Sequence, residues 1–220
     1  MSSPAQDPLQ QAIQRRIRIL VLVDAAEQAL IAPLPAASLH MMAYLSNVLA
    51  PVWEIPVLEG KLLKKEDGPF YPALQADADD LIGQGLLTFS DLDYRLDSDH
   101  QWRLRGLYSL NHQLADPVLE VVRSFPEELQ ICEFCQELAL SLSSVSNAEI
   151  PLLGEEDATY GDAVTDTGNV VDFAEWRQTN YAANAAHKLG SLLRRDGQTS
   201  PGEMIQSYIS HMTRRLYAAG

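Results

Sequence analysis

Apolar positions in the first half of the chain repeat first with the spacing of helices and then with that of strands. They recur at roughly helical intervals over residues 11–31 and again over 39–49, which predicts two helices. GKLLKKE predicts a short strand, and residues 71–83 predict a third helix. LLTFSDL and WRLRGLYSL flank the polar stretch DYRLDSDHQ, which predicts a β-hairpin with a charged tip.

The second half of the chain is predicted to be helical apart from one long acidic loop. A helical region covers 117–146, with Pro126 dividing it, because a proline inside a helix removes a hydrogen bond. Residues 149–175 form a stretch rich in Gly and Asp with weak periodicity. Two terminal helices follow, roughly at 172–195 and at 201–217.

The order helix, helix, strand, helix, hairpin is typical of a winged-helix module. The sequence therefore predicts a mostly helical α+β protein in three parts. Residues 1–10 are expected to be disordered, 11–115 to form a winged-helix-like domain with the hairpin as its wing, and 116–220 to form a helical C-terminal region that contains the acidic loop 149–175.

The composition is that of a globular protein with a strongly negative surface. Apolar residues make up 46% of the chain, charged residues make up 21%, and the formal net charge is −14. This charge disfavours nonspecific binding to nucleic acid or to anionic membranes. The first 14 residues lack the apolar segment of a signal peptide, and charges interrupt IRILVLVDAAEQALIAPL, so we expect a cytoplasmic protein that does not span a membrane.

The third predicted helix occupies the position from which winged helices read DNA. Its apolar positions leave five polar side chains on the outer face, none of them basic: Gln75, Asp77, Asp79, Asp80 and Gln84. A helix beside phosphates normally carries Arg, Lys or Asn, so this face disfavours DNA reading and favours a protein partner.

Two groups of basic residues are the candidates for a nucleic-acid contact. Lys61, Lys64 and Lys65 cluster on the predicted strand, and Arg103 and Arg105 lie on the wing. They would bind the phosphate backbone rather than the bases. The alternative is a solvated basic surface without a nucleic-acid partner.

Charge is distributed unevenly late in the chain. Residues 149–175 contain eight carboxylates and no Lys or Arg. From Trp176 onward the chain contains six Lys or Arg and only two carboxylates. Either the basic helices pack beside the acidic loop, or the two regions dock different partners.

No residue pattern specifies a catalytic, metal or cofactor site. Cys132 and Cys135 lie one helical turn apart without a second ligand pair for zinc, so we interpret them as core residues. The carboxylates of Asp157 and Asp162 are candidate metal ligands, but their spacing fits no calcium-binding loop. The histidines are scattered over separate elements. We therefore predict a protein that is not an enzyme and has no cofactor; a hydrolase or metal enzyme centred on the acidic loop is the alternative.

Three stretches resemble the middle component of ABC-three-component systems, a group that includes the Lamassu-type anti-phage systems. They are PLPAASLHMMAYLSNVL, GKLLKKEDGPFYPALQADADDLIGQGLL and IPLLGEEDATYGDAVTDTGNVVDFAEWRQTN, and they cover most of residues 30–180. The resemblance implies an accessory, winged-helix-like subunit that docks on an SMC/Rad50-like ABC ATPase and on a nuclease-like effector. DNA would be reached only through the complex.

The resemblance assigns the acidic loop to a structural or interface role, carried by Asp157, Tyr160, Gly161, Asp162, Asp172 and Phe173. We accordingly predict partner contacts at Asp157, Tyr160, Asp162, Asp172 and Trp176, together with Asp77 and Asp80 of the third helix. The predicted function is that of an adaptor which couples the ATPase to the effector. The alternative is a winged-helix DNA-binding transcriptional regulator.

Overall fold

The helices and strands of the protein surround one central helix. The computed structural model describes residues 8–57, 61–65, 68–96, 102–160, 170–172, 180–193 and 199–219. The helices are α1 Pro8–Gln28, α2 Ala36–Leu49, α3 Pro72–Gly83, α4 His112–Arg123, α5 Pro126–Leu142, α6 Leu153–Glu156, α7 Tyr181–Leu193 and α8 Pro201–Ala219, with 3₁₀ turns at Ala50–Trp53 and Ile150–Leu152. The strands are β1 Leu34–Pro35, β2 Lys61–Lys65, β3 Gly68–Phe70, β4 Leu87–Leu96, β5 Trp102–Leu110 and β6 Val170–Asp172.

The central helix is α2, in which every residue from Ser38 to Leu49 is buried. A helix that is apolar on all sides packs inside a protein rather than on its surface. Its polar side chains are hydrogen-bonded: the Ser38 hydroxyl donates to the carbonyl of Asn147 at 2.9 Å. The α2 helix therefore forms part of the core without leaving polar groups unpaired.

Within the described ranges, the strands form two separate antiparallel sheets. One sheet has the order β1-β5-β4, and the other has the order β3-β2-β6. Strands β4 and β5 form a long hairpin that pairs from Leu87 opposite Leu110 to Leu96 opposite Trp102. Strand β1 is much shorter, so it covers only the base of this hairpin.

The N-terminal and C-terminal helices share one hydrophobic core. Helix α1 packs against α2, α3 and α5, and its residues Ile19 to Val23 are at most 2% exposed. Helix α8 packs against α5 and α7. The cluster of buried apolar side chains is continuous from Ile19 to Met212, so the helices after the hairpin stabilise the part before it.

The mostly helical α+β class is confirmed, and so is the division of the long helical region at Pro126, where α5 begins. Some boundaries were wrong. Helix α4 begins at His112, five residues before the predicted start at Pro117. Helix α1 already begins at Pro8, inside the stretch expected to be disordered. The predicted helix over 172–195 is replaced by strand β6, which ends at Asp172, and by α7, which begins at Tyr181; residues 173–179 lie outside the described part of the chain.

Candidate functional site

The carboxylates of α3 hold this helix against α1. The side chain of Asp77 is only 6% exposed and accepts hydrogen bonds from Nε of Arg15 at 2.6 Å and from Nε of Arg16 at 3.1 Å. Our expectation that Asp77 lies on the outer face was therefore wrong. Asp77 follows Leu74 by three residues, so it lies beside the apolar stripe of α3. Arg15 and Arg16 of α1 neutralise its charge there.

The other predicted partner residue of α3 lies on the outside. The Asp80 side chain is 57% exposed and forms an ion pair with Nη2 of Arg16. Asp79 is also exposed and accepts a hydrogen bond from Nε2 of Gln75 at 2.8 Å. Because α1 neutralises two of the three carboxylates, the outer face of α3 is less negative than its sequence suggests.

Asp157 is a buried hydrogen-bonding centre that joins α2, the loop after α6, and α8. It is 1% exposed, and its Oδ1 accepts from the Tyr44 hydroxyl at 2.5 Å and from the backbone N–H groups of Thr159 and Tyr160 at 2.9 and 2.8 Å. Its Oδ2 accepts from the Tyr208 hydroxyl at 2.7 Å. Asp157 thus caps the backbone of its own loop.

This burial changes the interpretation of Asp157 and Tyr160 as partner contacts. Tyr160 is 4% exposed, so neither side chain reaches a partner surface in this structure. Burial raises the pKa of Asp157, although its four donors favour the charged form, and burial also raises the pKa of Tyr44. Among the described residues there is no group of three or more His, Cys, Asp or Glu side chains that could hold a metal.

The basic strand β2 lies beside the acidic loop. Lys61 is opposite Asp172 in the register of β2 and β6, and Nζ of Lys64 lies 5.1 Å from the centre of the Tyr160 ring. Farther along, Nε of Arg215 forms an ion pair with Glu156 at 2.7 Å. Residues that we assigned to different surfaces are thus neighbours, which favours internal charge complementarity over separate docking patches.

For some predicted site residues the structure describes only the position along a strand, and others lie outside the described residues. Lys61, Lys65, Arg103 and Asp172 are described by their strand positions, in β2, β5 and β6. Asp162 and Trp176 lie outside the described residues, as do Gly161 and Phe173. Their assignment to a partner interface, or to nucleic acid, stays a prediction.

The two faces of the β4–β5 hairpin differ in chemistry. Residues directly opposite each other on paired strands share a face, and faces alternate along a strand. One face carries the apolar pairs Tyr94 opposite Leu104 and Leu96 opposite Trp102, and the other face carries the charged pairs Asp93 opposite Arg105 and Arg95 opposite Arg103. The apolar four are between 47% and 67% exposed, so the hairpin presents a row of large apolar side chains to solvent.

This apolar row continues into the base of the hairpin. By alternation along β5, Trp102 and Leu104 share their face with Gly106 and Tyr108, and Phe89 lies opposite Tyr108. The Phe89 ring covers Gly106 so closely that a Cβ there would come within 2.5 Å of it. Between the two regions, β4 contains a bulge between Ser90 and Asp93.

A groove of about 820 Å³ separates the hairpin from α3, β3 and the first turn of α2. Its volume lies in the range of about 300–1,000 Å³ that ligand sites occupy. Apolar walls come from Phe70, Phe89, Leu104 and Pro151. The groove is therefore an apolar cleft that opens along the exposed row of the hairpin.

A chain of hydrogen bonds connects the interior to this groove. The backbone N–H of Tyr71 donates to Nδ1 of His40 at 3.2 Å, so Nε2 carries the ring proton and donates to Oε1 of Gln75 at 3.2 Å. Nε2 of Gln75 donates to Asp79 and, at 2.9 Å, to the Tyr108 hydroxyl. Burial raises the pKa of Tyr108. The network fixes the orientation of the Gln75 amide and of the phenol.

Sequence reasoning did not find this groove. Gln75 was predicted to face solvent, and the histidines, which include His40, were described only as scattered over separate elements. The available signal was the single histidine of α2, a helix that contains no Asp, Glu, Lys or Arg, since a buried histidine requires hydrogen-bond partners.

Cys132 and Cys135 are free thiols that serve the core. Cys135 is fully buried and Cys132 is half-buried, and burial raises the pKa of the Cys135 thiol to about 11. A thiol that stays protonated near neutral pH is a poor nucleophile. The interpretation of the pair as core residues is confirmed.

None of the helices in the described ranges is long and apolar enough to cross a bilayer. No protein-family model, curated protein or solved structure matches the chain. The resemblance to the middle components of ABC-three-component systems therefore stays a prediction.

Proposed function

We propose that the protein is a non-catalytic accessory subunit of an SMC/Rad50-like ABC ATPase complex of anti-phage defence, and that it couples the ATPase to a nuclease-like effector. The observation that carries this proposal is the exposed apolar face of the β4–β5 hairpin. Tyr94, Leu96, Trp102 and Leu104 are each about half exposed or more. Side chains of this size and kind, grouped on one face, are typical of protein–protein contacts.

A winged-helix-like arrangement for the N-terminal part belongs to the same proposal. The order α1-β1-α2-β2-β3-α3-β4-β5, in which β2 and β3 belong to the other sheet, and the sheet order β1-β5-β4 support it. In this arrangement α3 is the recognition helix and the β4–β5 hairpin is the wing. Helix α3 contains no Lys or Arg, so it presents no cations to phosphates. Arg15 and Arg16 of α1 pair with its residues Asp77 and Asp80.

Copurification of the complex from the source organism tests the proposal. Affinity-tagged protein should retain an ABC ATPase and an effector, and Leu96→Ser or Trp102→Ser should reduce the retained ATPase. A buried aromatic anchor contributes about 2 kcal/mol or more, which corresponds to roughly 30-fold in affinity. Leu192→Ser is the matched control because Leu192 is 80% exposed on α7, away from the hairpin in sequence. Absence of any ATPase, or equal losses with the control, would contradict the proposal.

The competing function is that of a DNA-binding regulator, and one observation favours it. The charged face of the hairpin places Arg105 opposite Asp93 and Arg103 opposite Arg95, which gives three arginines on one face. Mobility shift of duplex DNA by the isolated protein separates the two functions. A regulator binds with an affinity that falls steeply with salt, whereas an adaptor with a net charge of −14 leaves DNA unshifted near 150 mM salt.

A further inference from the structure

In the described part of the chain, the sheet that contains the hairpin has a strand position beside β5 that no strand fills. Strand β1 pairs with β5 only at Leu107 and Tyr108, because α2 begins directly after Pro35. Beyond that point no described strand pairs with β5 on the side away from β4. Among the described strands, the backbone of β5 at 104–106 therefore has a partner on one side only, and such an edge can accept an added strand.

The groove lies at this position. Its walls include Ala36 and Ala37 at the start of α2 and the β5 residues from Leu104 to Tyr108, so it runs in line with β1. Phe70, Phe89 and Pro151 add apolar surface. An extended segment placed here could hydrogen-bond with the β5 backbone and direct alternate side chains into the cleft.

The charges around the groove favour a basic occupant. Three carboxylates line it, those of Asp79, Asp91 and Asp93, against the guanidinium groups of Arg95 and Arg105. The Arg95 guanidinium is already paired with Asp93 at 3.1 Å. The local charge is thus negative by one, and the whole chain, at −14, adds a field of the same sign.

The floor of the groove supplies a directional polar contact. The Tyr108 hydroxyl accepts a hydrogen bond from Gln75, and within the described part of the chain no acceptor takes its own proton. A hydroxyl has both a donor and an acceptor function, so Tyr108 can still donate to a carbonyl oxygen of a bound segment.

We propose that this groove binds an extended segment of a partner protein in which apolar residues alternate with Lys or Arg, and that the segment adds to β5 as a strand in line with β1. The inference deepens the proposed function and rests on it for the identity of the partner, because it names the chemistry of the segment by which that partner docks. A second copy of this chain is a poor occupant, since two molecules of charge −14 repel each other.

Synthetic peptides test the groove without requiring the ATPase. The probe is a fluorescein-labelled decapeptide of alternating Val and Lys, capped at both ends, and its control is a block peptide of five Val and five Lys, which has the same charge without the alternation. We expect the alternating peptide to bind the full chain at least tenfold more tightly in fluorescence anisotropy. In ¹⁵N spectra its amide shifts should centre on Leu104, Arg105 and Gly106.

Two variants assign the binding to the groove. Ala37→Phe fills the cleft and should abolish binding of the alternating peptide. Asp79→Asn combined with Asp91→Asn keeps the cleft open and should reduce affinity and its salt dependence; unchanged far-UV circular dichroism and melting temperature establish that the variants fold. If Ala37→Phe does not fold, the affinity and salt dependence of the Asp79→Asn, Asp91→Asn variant alone test whether the peptide binds in the groove.

Several results would overturn the proposal: equal binding of the alternating and block peptides, tighter binding of an alternating Val and Glu peptide, no saturable binding, or shifts outside the groove. These results are independent of the proposed function. If the peptide does not bind but the ATPase still copurifies, only the proposal for the groove is contradicted. If the peptide binds but no ATPase copurifies, only the proposed adaptor function is contradicted.

Discussion

The carboxylate of Asp77 on α3 lies 2.6 Å from Nε of Arg15 on α1, and Nε of Arg16 approaches its other oxygen at 3.1 Å. Two arginines that follow each other along α1 thus bind one buried acid on α3, the helix that the proposed winged-helix arrangement assigns as the recognition helix. The charge of Asp77 serves to dock α3 on α1 rather than to meet a partner. Only Asp79 and Asp80 remain as the outer carboxylates of this helix.

Removing the charge of Asp77 should destabilise the protein. Asp77→Asn replaces one acceptor oxygen by an amide that faces a guanidinium, and we expect the free energy of unfolding to fall by about 1–3 kcal/mol. Asp79→Asn on the exposed side of the same helix is the control, with an expected change within about 0.5 kcal/mol. Urea denaturation measures both, and equal effects would contradict a structural role for Asp77.

The Asp157 centre should respond in a graded way. Asp157→Ala leaves two buried tyrosine hydroxyls and two backbone N–H groups without their acceptor, so we expect a loss of about 3 kcal/mol or more. Asp157→Asn keeps one acceptor oxygen and should cost less. Tyr208→Phe removes two hydrogen bonds, the one donated to Asp157 and the one accepted from the Ala158 N–H, and should cost about 2 kcal/mol. Thermal and urea unfolding give the order. If Asp157→Ala leaves the free energy of unfolding unchanged, this centre does not stabilise the fold.

The two thiols should differ in their access to reagents. Burial raises the pKa of both, that of Cys135 to about 11, so at pH 7.5 both are protonated. We expect slow labelling of half-buried Cys132 by a disulfide reagent and labelling of Cys135 only when the protein unfolds. Mass spectrometry of partially labelled protein identifies the site. Fast labelling of native Cys135 would contradict its position in the core.

His112 gives stability a dependence on pH. Its ring nitrogens lie 3.0 Å from Asp116 and 2.9 Å from Glu27, and these carboxylates raise its pKa above the usual 6.5. A raised pKa in the folded state contributes stability that is complete below the unfolded pKa and is lost as the pH rises through the folded pKa. Because His112 is exposed, we expect only a small decline in melting temperature above about pH 6.5. For His112→Gln, the melting temperature should depend less on pH. An unchanged profile in that variant would exclude the effect.

The elements that local patterns specify were predicted well. The hairpin follows from alternation and a polar tip, and the helix boundary at Pro126 follows from proline chemistry. The buried stripe of α3 at Leu74, Ala78 and Leu81 also follows from its spacing. Each of these features depends on residues close together in the chain.

The features that were missed depend on distant residues. Strand β6 has three residues, too few for a periodic signal, and it forms because β2 offers an edge. The burial of Asp77 depends on arginines 61 and 62 positions away, and that of Asp157 on tyrosines 51 and 113 positions away. The groove combines the first turn of α2, β3, α3, the hairpin and the segment around Pro151, which are distant in the chain, so no single segment predicts it.

Photocrosslinking from the hairpin tests the central claim most directly. A photoreactive phenylalanine analogue in place of Leu96, in protein expressed in its source organism, reports what touches the apolar face. We predict a protease-sensitive, nuclease-resistant adduct that contains peptides of an ABC ATPase, and no such adduct from the same analogue in place of Leu192. A nuclease-sensitive adduct with DNA, or no adduct beyond that of the Leu192 control, would contradict the account.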